Sequence, residues 1–170
     1  MNKAVRLLEN MDDQSVALVC SQIGRIDESA SPLKQARYIN TLLDTAQTMH
    51  ICMTEAMHKC GGCCLSANAV KKAKKLYEKS EDLSDFLDAL NEADIGGKNL
   101  HISDGKIIAK YKKCYCNIPQ KVENMNKQYC ECSAGWYKSL FTLVFEKEVT
   151  VKIIDTIVNG ASECTFEISI

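Results

Sequence analysis

Cys114-Tyr-Cys116 and Cys130-Glu-Cys132 set four thiols in two tight pairs, with 13 residues between the pairs. Thiolates are soft ligands, and two such pairs can close around one tetrahedral ion such as zinc. A third group, Cys60-Gly-Gly-Cys63-Cys64, lies upstream. The chain has 10 cysteines in 170 residues, and seven of them fall in these three groups. Random use of a small buried hydrophobe would not bunch them, so the spacing points to metal or thiol chemistry. The expected cofactor is zinc, with Cys114, Cys116, Cys130 and Cys132 as its ligands. Reversible disulfide chemistry and four unligated cysteines are the other readings of the same residues.

Cys60, Cys63 and Cys64 fall where one helix is expected to end and the next to begin. A thiol at a helix N-terminus has a lowered pKa and reacts faster. His58, two residues before Cys60, is a candidate ligand or base. The group reads as a metal or ligand contact, as a reactive thiol, or as packing, and Cys60 or Cys64 can fold back to the downstream pairs. Cys164 alternates inward beside Phe166, either as core or as a pocket-lining thiol. Cys20 and Cys52 lie on apolar helical stripes and are expected in the core. Asp155 interrupts an apolar strand, as a ligand-orienting carboxylate or as a solvated side chain. No Ser/His/Asp order, Gly-rich phosphate loop or isolated pair of acids stands out, so the catalytic residues, if there are any, are unknown.

The elements that must position these groups are helical first and extended later. Val5, Leu8, Val16, Val19, Ile23 and Ile26 recur at helical steps, with an interruption near Asp12-Asp13. Ser31 caps a helix with Pro32 at its first position. A stripe from Ala36 to Met53 carries that helix to about His58 or Lys59, where Gly61-Gly62 can break it. Ser66 and Ser80 open two more helices. Asp104-Gly105 between Leu100–Ile102 and Ile107–Tyr111 is a two-residue hairpin signal. Residues 113–129 read as an irregular loop, and Ser133 to about Phe145 as a short helix whose Trp136, Tyr137 and Phe141 can line a pocket. Val149, Val151 and Ile153, then Cys164, Phe166 and Ile168, alternate as a second hairpin. The fold class is α+β: an N-terminal helical layer packed on an antiparallel sheet of two hairpins, with a short helix between them. Residues 1–170 form a single domain, 1–95 mainly helical and 96–170 the sheet part with the Cys-rich loop.

A chain of 170 residues can bury its own core and does not need disulfides to fold. Lys and Arg number 21, Asp and Glu 22, and the net charge of −1 gives no footprint for nucleic acid. The run Lys71-Lys72-Ala73-Lys74-Lys75 reads as the solvated face of a helix. No apolar run approaches the roughly 20 residues of a membrane helix. The beginning of the chain carries no secretory pattern, so a cytoplasmic location with reduced thiols is expected. The sequence leaves a homodimer open.

Tyr129-Cys-Glu-Cys-Ser-Ala-Gly-Trp-Tyr-Lys-Ser-Leu-Phe, the strand Val149–Ile154, and Asn159-Gly-Ala-Ser-Glu-Cys164-Thr-Phe166 resemble the C-terminal half of the four-vinyl reductase domain family. That family's last element is Gly-x-x-x-Cys-x-Phe, which Gly160, Cys164 and Phe166 match. The whole chain also resembles proteins described as similar to L-2-amino-thiazoline-4-carboxylic acid hydrolase. The resemblance implies helices over an antiparallel sheet, enclosing a pocket for a small, largely apolar or aromatic molecule beside a cysteine-ligated zinc. Where zinc-binding members carry Glu and Cys, 11 and 8 residues before the last Cys, this chain has Ile153 and Thr156.

Three functions follow as expectations. The first is a zinc-binding, small-molecule-binding or sensory domain. The second is a metal- or thiol-dependent hydrolase of a small amide or thiazoline-like substrate. The third is a thiol redox sensor in which Cys60, Cys63 or Cys64 oxidises reversibly.

Overall fold

A computed structural model describes residues 2–170. Seven helices come in chain order: α1 Lys3–Glu9, α2 Asp13–Ile23, α3 Pro32–Thr48, α4 Thr54–Gly62, α5 Ala67–Tyr77, α6 Leu83–Glu92 and α7 Glu131–Phe145. Four strands, β1 Leu100–Ser103, β2 Lys106–Tyr111, β3 Thr150–Asp155 and β4 Cys164–Ser169, form one antiparallel sheet. The class is α+β, as the residue patterns imply.

Local signals set most boundaries. The side chains of Asn2, Asp12, Ser31, Ser66 and Asp82 accept backbone N–H bonds at the starts of α1, α2, α3, α5 and α6. Such caps satisfy donors that have no partner inside the helix. Asp82 takes the role expected of Ser80, whose hydroxyl instead donates back to the Leu76 carbonyl. The long helix expected from Pro32 to His58 is two helices. It stops at Thr48, His50 takes a positive φ of 56°, and α4 begins at Thr54. Gly61 and Gly62 therefore end α4 rather than a long α3. The same break leaves Cys52 exposed, whereas Cys20 stays partly buried against the helical core.

The sheet order is β1-β2-β4-β3, so the last strand sits between the two hairpin partners formed before it. Asp104 and Gly105 both take positive φ, 50° and 74°, which fits the mirror-image turn of a two-residue hairpin. Across β2 and β4, Ile107 faces Ile168, Ala109 faces Phe166 and Tyr111 faces Cys164, all buried on one side. A one-residue slip would turn this whole set to solvent, so burial fixes the register.

Two hydrophobic clusters result. Leu7, Val19, Ile39, Leu42, Leu43, Met53 and Met57 build one among α1–α4. Phe86, Leu90, Leu140, Phe141, Phe166 and Ile168 build the other, between α5–α7 and the sheet. Only part of the N-terminal helical layer thus covers the sheet. α7 joins the two halves, giving Cys132 to the first cluster and Ala134, Tyr137 and Phe141 to the second. No helix among the described residues is long and apolar enough to cross a membrane.

Candidate functional site

α4 and α7 meet at two glycines. A Cβ on Gly61 would strike the Cys132 carbonyl oxygen and come within 2.9 Å of the Trp136 nitrogen. A Cβ on Gly135 would strike the His58 backbone. His58 Nε2 lies 2.8 Å from Glu131 Oε2, a polar clamp on the same contact. His58 is therefore engaged by a carboxylate rather than by the neighbouring thiols. The close approach brings Cys60 and Cys64, from the end of α4, against Cys132 on the first turn of α7.

These three thiols shift one another's ionisation. Cys132 lowers the Cys60 pKa against the effect of burial, helped by Lys3 and Arg6. Cys60 in turn pushes Cys132 up to about 11. Cys132 and burial raise Cys64 as well. The first proton of the cluster thus leaves from Cys60. Arg6 Nη1 donates to the Cys63 carbonyl at 3.1 Å and lies 3.9 Å from Cys64 Sγ. Cys63 itself is exposed.

Lys3, at the start of α1, comes to the same place. Its Nζ donates to Cys116 Sγ at 3.4 Å and lies 5.0 Å from the centre of the Tyr129 ring. Cys116 Sγ is also 2.9 Å from Tyr129 Oη. Burial favours a neutral amine at Lys3, but Cys132, Tyr129 and Cys116 outweigh it and raise its pKa.

The remaining thiols gather on the sheet side. Burial pushes Cys130 up to about 11 against the lowering influence of Thr156, with Cys164 and Cys114 raising it further. Burial also raises Cys114. Cys164 Sγ accepts the Ile157 N–H at 3.4 Å. Asp155 accepts from the Thr156 N–H at 2.8 Å and the Asn159 side chain at 3.2 Å, so it shapes the turn after β3.

The two Cys-x-Cys pairs are therefore each split. Cys116 and Cys132 face the helical side with Cys60 and Cys64, while Cys114 and Cys130 face Cys164. Among the described residues, no group of three or more His, Cys, Asp or Glu side chains is arranged to hold a metal ion.

A cleft of about 950 Å³ opens over the first thiol group. Cys64, Cys116, Cys132 and Lys3 lie at one side, and Tyr111, Tyr115, Trp136 and Tyr137 supply aromatic walls. Tyr137 Oη donates to the Gly96 carbonyl at 2.9 Å, fixing the loop before β1 as a further wall. Tyr111 stacks on Phe166, with ring centres 5.7 Å apart, and is thereby held at the cleft. Of the four residues expected to line a pocket, Trp136 and Tyr137 do so. Phe141 is fully buried one turn further along α7, and Cys164 lies behind Tyr111; neither reaches the cleft wall. A shallower groove of about 720 Å³ runs between α5 and α7 beside Lys71, Lys74 and Lys75. Lys74 there pairs with Glu146 at 2.9 Å, in keeping with a solvated basic face.

Sequence reasoning did not single out Lys3, Arg6, Tyr111, Tyr115 or Tyr129. Tyr111 carried one usable signal, its inward position in the β2 alternation. Nothing near Lys3 in the sequence announces that it meets Tyr129.

No curated protein and no solved structure matches the chain. Residues 7–170 match the model of a family of unknown function (DUF6144), which names neither of the groups that the C-terminal motif resembles, and the chain belongs to that family.

Proposed function

We propose that this protein is a small-molecule-binding domain, of the kind that serves as a sensor, and that it takes a small aromatic compound into the cleft above Cys132. One observation carries the reading: a concave site of about 950 Å³ with four aromatic side chains on its walls and the Lys3 ammonium beside three thiols. That volume suits a small organic molecule, and ligand sites are characteristically apolar clefts with a few convergent polar groups. Tyr and Trp faces favour a flat ring. Lys3 favours an anionic substituent on that ring, such as a carboxylate. The resemblance of the Gly160–Phe166 segment to a domain group with aromatic ligands agrees with this reading.

Trp136 is the chain's single tryptophan and lines the cleft, so its emission reports directly on occupancy. Titration with 4-nitrobenzoate, an aromatic carboxylate that quenches indole emission, is expected to give saturable quenching with a Kd of about 1 mM or tighter. Nitrobenzene, which lacks the carboxylate, is expected to bind more weakly. Linear, non-saturating quenching by both compounds would mean collision only and would overturn the proposal.

A further inference from the structure

We propose that Cys116 is a nucleophile that captures an aromatic α,β-unsaturated carbonyl compound in the cleft, by adding its sulfur to the activated alkene. The proposal rests on the reading of the cleft as an aromatic-ligand site and names a substrate class for it.

The geometry singles out this thiol. Cys116 is half-buried and lines the cleft together with Lys3. The Lys3 ammonium donates to its sulfur at 3.4 Å. Tyr129 Oη, behind it in a residue only 3% exposed, lies 2.9 Å from the same sulfur and can donate to it once it is negative. Both partners are held in place. The Lys3 backbone N–H donates to Gln35 Oε1 on α3 at 2.9 Å. The loop carrying Cys116 is pinned by buried Ile118 and by the Gln120 side chain, which donates to the Cys114 carbonyl at 3.0 Å. The thiolate is the nucleophilic form of cysteine, and a neighbouring cation supports it. The other two thiols at the cleft, Cys64 and Cys132, are both pushed toward the neutral form. Tyr115, next to Cys116, and Trp136 supply faces for the ring of the captured compound.

The addition needs no oxidant or reductant. The Cys116 thiol gives its proton to solvent, and the sulfur attacks the β-carbon of the alkene. An S–C bond forms as the C=C π bond breaks, and that electron pair moves through the conjugated system to the carbonyl oxygen. Charge thus passes from sulfur to oxygen, and the Lys3 ammonium beside the sulfur can face both atoms. A proton from solvent then enters at the α-carbon and restores the carbonyl. The thiol hydrogen is replaced on sulfur by carbon, one hydrogen is added to the α-carbon, and the product is a thioether.

The test is incubation of the reduced, full chain with equimolar N-phenylacrylamide, then intact mass and time-resolved peptide mapping. One probe per chain is expected, at Cys116, added at least about tenfold faster than at the exposed Cys52 and Cys63. Saturating 4-nitrobenzoate is expected to slow this labelling. Lys3→Met slows it by about tenfold, whereas Lys3→Arg keeps most of the rate, and Cys116→Ser removes the label. Mapping of the wild-type chain gives the answer even if a variant fails to fold. Labelling of Cys52 or Cys63 at the same rate as Cys116, or of Cys64 or Cys132 before it, overturns the proposal. If 4-nitrobenzoate still quenches Trp136 saturably in that case, only the covalent step falls; if it does not, the aromatic-ligand reading falls as well.

Discussion

Lys3 places a positive charge where its nearest partners are a thiol and a phenol ring. Replacing it with Met keeps much of the apolar stem and removes the charge. Two results are expected from Lys3→Met. The binding of 4-nitrobenzoate weakens by at least about tenfold in Kd, as the loss of a hydrogen bond to a charged group costs about 1.5–3 kcal/mol. The ionisation of Cys60, which Lys3 assists, moves to higher pH, seen as a shifted midpoint in thiolate ultraviolet absorbance. If neither moves, Lys3 supports packing and nothing more. The aromatic wall gives an independent check. Tyr115 is 60% exposed, so Tyr115→Ala should leave stability nearly unchanged and still weaken the ligand, by fluorescence titration.

At the scale of elements, two glycines are required for opposite reasons. Gly61 has ordinary helical geometry but no room for a methyl group, since α7 backbone fills that space. Gly61→Ala is expected to destabilise by about 2–3 kcal/mol in denaturant unfolding, the cost of overpacking. A loss below about 0.5 kcal/mol would show that α4 and α7 can part freely. Gly105 has open space around it but a φ of 74°. Gly105→Ala is expected to cost about 1–2 kcal/mol through the backbone alone. The hairpin was legible in Asp104-Gly105 because turn chemistry is local, as was the α3 start in Ser31-Pro32. The end of α3 was not legible, since Ala46, Met49 and Met53 keep the helical period across the break. The splitting of Cys130 from Cys132 has a simple cause. Residues two apart on a helix lie about 200° apart around its axis, whereas on a strand they share a face. The second pair sits at the helical start of α7, so its sulfurs part. Lys3 and Tyr129 meet only through tertiary packing, which no local pattern records.

For the whole molecule, buried thiols link folding to alkaline pH. Cys130 and Cys132 are pushed up from 9.0 to about 11, and Cys64 and Cys114 also move up, while Cys60 moves down. Above the ordinary thiol value, the unfolded chain releases protons that these raised groups keep in the fold. The unfolded state then binds fewer protons, so stability falls as pH rises. Cys60 acts with the opposite sign but is outnumbered. Under reducing conditions the melting temperature is expected to fall steadily between pH 9.0 and about 11; a level profile would show that the thiols ionise alike in both states. The strand order β1-β2-β4-β3 has a consequence of another kind, for the growing chain. The strand that lies between β2 and β3 follows the other three strands in the sequence, and Ile107 waits for Ile168 to emerge before it finds its neighbour. Until then β1–β2 and β3 are separate pieces with apolar faces bare, and non-local pairing of this sort is slow and open to misassociation. A ribosome paused just before β4 would therefore hold a nascent chain whose helical half can close around its own core, while its sheet half is the part that recruits a chaperone.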